Sequence, residues 1–146
     1  MADLDIQNSL ITAIYNRLTT DTTLKSNMGG TVRLYHTWAE TDAVFPYLVH
    51  RIDIANVADW CPVRRCTYYL DIWSDSPNAG ECLSIRKQIM ALLDDYHSST
   101  DETTEYFIWI QTDGFIPEQE EGIWHYALQF NLKFVRDSQI GTLLYR

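Results

Sequence analysis

The clearest hydrophobic pattern lies near the C-terminal end of the chain, in the segment IWHYALQFNLKFV. Apolar residues occupy every second position of this segment: Trp124, Tyr126, Leu128, Phe130, Leu132 and Phe134. The intervening residues are polar or small, and they include His125, Gln129 and Lys133. A period of two over this length predicts a long strand with one buried and one solvated face, which favours antiparallel pairing.

Two other segments place their apolar residues at helical spacing. In residues 3–21 the stripe consists of Ile6, Leu10, Ala13, Ile14 and Leu18. In residues 77–96 it consists of Cys82, Ile85, Ile89, Leu92, Leu93 and Tyr96. Ser76 and Pro77 predict the N-cap and first position of the second helix, because a serine side chain caps well and proline has a fixed φ.

Further strands are predicted in the segments TVRLYHTW, YLVHRIDI, CTYYLDIWS and YFIWIQ, whereas HSSTDETTE is typical of a loop. Helices and strands therefore do not alternate regularly along the chain. This order predicts an α+β fold, in which two main helices pack on one face of an antiparallel-rich sheet of four to five strands. Residues 1–146 contain no internal repeat and no Pro-, Gly- or Ser-rich linker, which indicates a single domain.

The charge of the chain is acidic and unevenly distributed. The net charge is −9, and no Lys or Arg occurs between Gln88 and Leu132. The acidic residues of this segment are Asp94, Asp95, Asp101, Glu102, Glu105, Asp113, Glu118, Glu120 and Glu121. Phosphate binding requires clustered cations, so free nucleic acid is not expected as a partner. The segment is interpreted either as solvated loops or as a surface held away from a polyanion.

The cysteines predict neither a disulfide framework nor a zinc site. Cys61, Cys66 and Cys82 are odd in number, and the C-x4-C spacing of the first two has no matching second pair. The N-terminal segment has no apolar core of the kind found in signal peptides, so reduced thiols in a cytoplasm are expected. No apolar run approaches the roughly 20 residues of a membrane span, so no membrane partner is predicted.

No motif of a known catalytic or cofactor site occurs in the sequence. Asp71 and Asp75 at one strand end, or His50, are the alternative candidates for acid–base chemistry or ligand binding. The strand-to-helix corner SDSPNAGECL occupies a position where many enzymes bind phosphate. However, Gly80 is its only glycine, and Asp75 and Glu81 would repel an anion there. The sequence therefore predicts no enzyme activity, no cofactor and no metal.

The order and spacing of these segments resemble a known protein family over nearly the whole chain. The resemblance is carried by LITAIYNRL, then Asp21 and Leu24, a Gly-marked break, VRLYHTW, FPYLVHRID and DIWSDSPNAGECLSIRKQIMALL. In these features the chain resembles the tail-completion or tail-terminator proteins of long-tailed bacteriophages. None of the segments is a catalytic motif, and the resemblance assigns no catalytic or binding residue.

The resemblance implies a virion structural protein of the tail or neck, assembled in the host cytoplasm. Such proteins form a ring, commonly a hexamer, that caps the tail tube and joins it to the head connector. The implied partners are further copies of the chain, the major tail tube protein and the neck protein. DNA passes through the lumen without specific binding. Two alternatives remain: a head-closure protein or minor tail adaptor, and a small cytoplasmic enzyme or ligand-binding domain.

Two acidic loops are the candidate functional sites under this interpretation. One contains Asp101, Glu102 and Glu105, and the other contains Glu118, Glu120 and Glu121. A lumen that passes DNA should not grip it, which suits acidic loops without Lys or Arg. We therefore expect one of these loops to face the channel or a docking rim.

Overall fold

The computed structural model of the protein describes residues 2–54, 63–100, 103–118 and 120–136. Three helices and six strands occur in these ranges. Their bounds are α1 (Ala2–Thr19), α2 (Thr22–Asn27), β1 (Leu34–His36), β2 (Tyr47–Ile54), β3 (Val63–Ser74), α3 (Gly80–Leu93), β4 (Tyr96–Thr100), β5 (Thr103–Ile116) and β6 (Trp124–Arg136). None of the described helices is long and apolar enough to cross a membrane.

The strands form one sheet in the order β1-β2-β3-β6-β5-β4. Strands β1 and β2 are parallel, and every other neighbouring pair is antiparallel. The predicted antiparallel-rich α+β architecture is therefore confirmed. The two main helices that the sequence predicts are α1 and α3, and α2 is an additional short helix. The predicted number of strands was too low, because β4 lies in a segment predicted as helix end and loop.

The core lies between the helices and one face of the sheet. The alternating apolar residues of β6 line this face, as the sequence predicts, and only Trp124 among them is not fully buried. The register aligns them with buried residues of β3, for example Leu128 with Leu70. The helices cover this face with the buried residues Leu10, Ile14, Leu18, Cys82, Ile85, Ile89 and Leu93.

Asp21 explains why α2 forms where it does. Its Oδ2 accepts a hydrogen bond from the backbone N–H of Leu24 at 2.8 Å, which caps the helix, and another from Gln88 of α3 at 2.9 Å. The same carboxylate thus caps α2 and ties it to α3. The chain then leaves the helix through Gly29 and Gly30, whose φ values of 82° and 107° suit glycine.

Helix α3 is shorter than the sequence predicts at both ends. It begins at Gly80 instead of Pro77, because the side chain of Asn78 folds back to accept the N–H of Gly80 at 2.9 Å. Ser76 is not its N-cap. The helix ends at Leu93, because Asp95 adopts a φ of 54° and turns the chain into β4.

Candidate functional site

The face of the sheet opposite the core is not covered by any described helix. We call it the open face. Its residues alternate with the core residues along the four long strands. They include Tyr47, Val49, Arg51, Asp53, Arg65, Thr67, Tyr69, Asp71, Trp73, Phe107, Trp109, His125, Ala127, Gln129, Asn131 and Lys133. Aromatic and charged side chains dominate this set, which makes the open face the principal candidate for contact with another molecule.

A row of three stacked rings crosses three strands of the open face. Tyr47, Trp73 and His125 are direct register partners on β2, β3 and β6. The rings of Tyr47 and Trp73 lie 6.2 Å apart with planes inclined by 17°, and those of Trp73 and His125 lie 3.8 Å apart. This stack is a rigid aromatic ridge at one end of the open face.

His125 is held between two carboxylates at this ridge. Its Nδ1 lies 2.7 Å from Glu118 Oε1, and its Nε2 lies 3.5 Å from Asp71 Oδ1. The second distance is too long for a good hydrogen bond, so Asp71 acts mainly through its charge. Burial lowers the pKa of His125, but the interactions with Asp71 and Glu118 outweigh it, and the pKa is raised. The cluster therefore links β3, β6 and the β5–β6 turn, and its two carboxylates favour the protonated form of the imidazole.

The groups around His125 form this structural link and provide no evident catalytic function. Both ring nitrogens face carboxylates, so neither is available as a base for a substrate. Within the described ranges no group of three His, Cys, Asp or Glu side chains is placed to hold a metal ion.

The described residues of the two predicted acidic loops lie at opposite ends of the sheet, and Glu105 lies within β5 and not in a loop. Glu105 is a register partner of Val135, whereas the other loop begins after Ile116, the partner of His125. Ten residues of β6 separate these positions, which corresponds to about 34 Å. The two loops therefore belong to two distinct surfaces of one subunit.

The individual acidic residues differ in their surroundings. Asp101 and Glu102 lie outside the described residues. Glu105 Oε1 lies 3.2 Å from His97 Nδ1, in a pair that is largely exposed. Glu120 and Glu121 are exposed in the β5–β6 turn, whereas Glu118 of the same segment is engaged by His125.

The alternative site residues His50, Asp71 and Asp75 do not come together. His50 is buried on the core face, where its Nδ1 shares a hydrogen bond of 2.7 Å with the hydroxyl of Tyr68. Burial, with a smaller contribution from His36, lowers the pKa of His50 to about 4. Asp71 lies on the opposite, open face, and Asp75 is exposed beyond the end of β3. This geometry provides no shared acid–base site.

The described cysteines are structural. Cys66 and Cys82 are both buried and free of disulfides. Burial raises the pKa of Cys66 to about 12 and that of Cys82 to about 11, so neither is a reactive thiolate near neutral pH. Cys61 lies outside the described residues.

A shallow groove of about 270 Å³ lies on the open face beside the aromatic ridge. It forms because Ala127 and Gly114, which are register partners, leave space between larger neighbours. Asp71 and Gln129 line its sides. Its volume is just below the range of about 300–1,000 Å³ that is usual for small-molecule sites.

The cluster of Asp71, Glu118 and His125 was not predicted from the sequence. One feature of the sequence pointed to it: His125 and Asp71 both occupy polar positions in strands where apolar and polar residues alternate. Their contact also requires β3 to pair with β6 in one particular register, and single-sequence patterns do not determine that pairing.

Comparisons with known proteins point to one family. The family model described as "tail completion protein gp17" matches residues 12–134. A chain from the structure titled "Virion of native gene transfer agent (GTA) particle" has a similar fold, with a TM-score of 0.75 and 14% identity. The match covers 88% of this chain and 96% of that one.

A second solved chain, which bears no functional description, matches with a TM-score of 0.66 and 11% identity, over 88% of this chain and 94% of its own. At these identities both likenesses show the fold. None of the curated proteins compared with the chain matches it.

Proposed function

The chain belongs to the tail completion protein gp17 family, and on this basis we propose that it forms a homo-oligomeric ring, a hexamer in the simplest case, that caps the phage tail tube and joins it to the head connector. The family match confirms the resemblance found in the sequence. It also makes the protein a phage tail-completion protein, which is a structural role. The match across residues 12–134 is the observation that carries the proposal.

The described surface supports self-assembly. A ring needs two different complementary patches on each subunit, because its contacts are heterologous. The chain has an uncovered aromatic sheet face, and Trp38 in the β1–β2 loop is 82% exposed. Val44 in the same loop is 62% exposed. Large apolar side chains at such exposure are typical of interface residues.

The acidic character supports passage of DNA without specific binding. The net charge of −9 and the absence of Lys and Arg between Gln88 and Leu132 give loops that do not hold phosphates. In the proposed ring either the loop of Asp101, Glu102 and Glu105 or that of Glu118, Glu120 and Glu121 faces the channel or a docking rim. Because the two loops lie at opposite ends of the sheet, the ring presents them at different surfaces.

The proposed partners are the major tail tube protein on one side and the head–tail connector on the other, in the tail or neck of the virion. A cofactor and a catalytic activity have no part in this proposal. The separation of His50 from Asp71 and Asp75 argues against the alternative of a small enzyme that uses these residues.

Purified tail tubes test the proposal directly. When the protein is added to tubes that are still elongating, we expect it to bind one tube end and to stop growth, with tube length measured by negative-stain electron microscopy. Binding to head connectors without binding to tubes would instead indicate a head-closure or adaptor role. The double variant Asp71→Asn/Asp75→Asn should still cap tubes, whereas loss of capping by the folded variant would point to a functional site at these residues.

A further inference from the structure

Two cations face each other across neighbouring strands at the end of the open face opposite the aromatic ridge. Arg65 of β3 and Lys133 of β6 are direct register partners. Like charges at directly opposite positions destabilise a sheet. Neither side chain forms an ion pair with a described residue, and Arg65 is exposed. Such a pair is therefore a candidate site for an anionic group that neutralises both charges.

Aromatic rings border this pair. Lys133 lies over the ring of Trp109 at 5.7 Å, and its partner on β5, Phe107, is 47% exposed. We call Arg65, Lys133 and Phe107 the basic patch. Its cations lie directly beside an exposed apolar side chain, so a complementary partner would carry acidic and apolar groups close together.

The β5–β6 turn of the same chain has this composition. Glu120 and Glu121 are exposed there and form no ion pair with a described residue. Phe115 and Ile116, just before the turn, are each 43% exposed. The turn therefore has the negative charge and the exposed apolar surface that complement the basic patch.

The turn cannot reach the basic patch of its own subunit. Ile116 pairs with His125, and Lys133 lies eight residues further along β6, about 27 Å away. A glutamate side chain cannot span this distance, so any contact between the two surfaces joins different copies. Because the patch and the turn are different surfaces of each copy, such contacts can propagate head to tail from copy to copy, as a ring requires.

We propose that the basic patch is the docking site for the β5–β6 turn of a second copy of this chain, with Glu120 and Glu121 of that copy neutralising Arg65 and Lys133. The inference rests on the proposed ring and identifies one of its interfaces. Of the two acidic loops, it assigns the β5–β6 turn to subunit contact. DNA phosphate is the competing anion, but it offers no apolar counterpart to Phe107.

Reversal of the charges tests this interface. The patch variant Arg65→Glu/Lys133→Glu and the turn variant Glu120→Lys/Glu121→Lys should each self-associate about tenfold or more weakly than the wild type, because each places like charges in contact. An equimolar mixture of the two should recover assembly, because in an alternating array every contact is again between opposite charges. Analytical ultracentrifugation over a wide concentration range measures the association, and circular dichroism verifies the fold.

Two control variants introduce the same changes in net charge at other positions of the chain. Lys25→Glu/Lys87→Glu and Glu40→Lys/Asp42→Lys have the same net charges as the two variants, and both should associate like the wild type.

The inference is overturned if the patch and turn variants assemble normally, if their mixture fails to recover, or if the wild type is monomeric throughout. Salt-dependent DNA binding that only the patch variant loses, with self-association unchanged, would assign the patch to DNA. Tube capping by the wild type is measured separately, so the ring proposal survives a failure of this interface.

Discussion

The imidazole of His125 stacks face to face on the indole of Trp73, with ring centroids 3.8 Å apart and planes inclined by 14°. The two residues are register partners on β3 and β6, so the contact is built into the strand pairing. A protonated imidazole over an indole is favourable, because the ring face of the indole is electron-rich. Together with Glu118 and Asp71, the stack favours the charged form of His125 and fastens the β5–β6 turn to the sheet.

His125 should make the free energy of unfolding depend on pH above about 6.5. Because its pKa is raised in the folded state, its contribution is complete below the unfolded value of about 6.5 and is lost as pH rises through the folded value. His125→Gln should therefore cost about 1–3 kcal/mol in free energy of unfolding at pH 6, and clearly less at pH 9. Urea unfolding at both pH values measures the difference. His97→Gln, which alters an exposed pair, should cost less than about 0.5 kcal/mol at either pH. An equal cost of His125→Gln at both pH values would contradict the charged assignment.

His50 should make the free energy of unfolding decrease as pH falls below about 6.5. Its pKa is lowered to about 4 by burial, so its contribution is present above about 6.5 and is lost as pH falls towards 4. The wild type should lose about 3 kcal/mol from this residue between pH 7 and pH 4. The double variant His50→Leu/Tyr68→Phe removes the imidazole and leaves no unpaired hydroxyl in the core. Its free energy of unfolding should fall less steeply over this range, and parallel pH profiles for the two proteins would contradict the prediction.

The strands whose pattern is clear in the sequence are those with one buried face and one exposed face. Strand β6 alternates because one face packs on the helices and the other is open, and the same holds for β2 and β3. Strand β4 was missed because its sequence, YHSST, is polar and lies at the sheet edge, where hydrogen bonding to β5 alone holds it. Tyr96 also fitted the helical period of α3, and only the left-handed conformation of Asp95 moves it into the strand.

The surfaces of the open face could not be predicted, because they depend on strand pairing. Asp71 and His125 are far apart in sequence, as are Arg65 and Lys133, and each pair meets only in the observed register of β3 with β6. Composition and charge pointed instead to the acidic loops, whose described residues lie at opposite ends of the sheet. Side-chain periodicity identifies the face of each residue, and the register then determines its neighbours.

Replacement of Arg33 by lysine should lower the free energy of unfolding. Its guanidinium donates hydrogen bonds to four backbone carbonyls, those of Met28, Val44, Phe45 and Pro46, at 2.9–3.3 Å. A lysine ammonium is a compact donor that cannot reach all four, so Arg33→Lys should cost about 2 kcal/mol in free energy of unfolding. Arg65→Lys is the matched control, because Arg65 is exposed and the same change there should stay within about 0.5 kcal/mol. Equal, negligible costs for both variants would show that the carbonyl contacts contribute little.

The carboxylate of Asp113 should be the strongest link between α3 and the distorted part of β5. Its Oδ2 accepts from Arg86 Nε at 2.9 Å and from the hydroxyl of Tyr126, just beyond the irregular register between Ile110 and Thr112. Burial raises the pKa of Asp113, but these bonds from Tyr126 and Arg86 outweigh it, and the pKa is lowered. Its contribution is therefore present above about 3.8 and is lost as pH falls through the folded value.

Asp113→Asn should cost about 1–3 kcal/mol at pH 7, because a charged acceptor shared by two donors is replaced by a neutral one. The cost should shrink as pH falls below about 3.8, and it should be smallest below the lowered folded pKa, where the wild-type carboxyl is itself protonated. Thermal or urea unfolding at pH 7 and pH 3 measures both values. Asp42→Asn removes an exposed carboxylate and should have little effect at either pH. If Asp113→Asn cost the same at both pH values, the loss would stem from altered packing, and the ionised carboxylate would not be what holds α3 to β5.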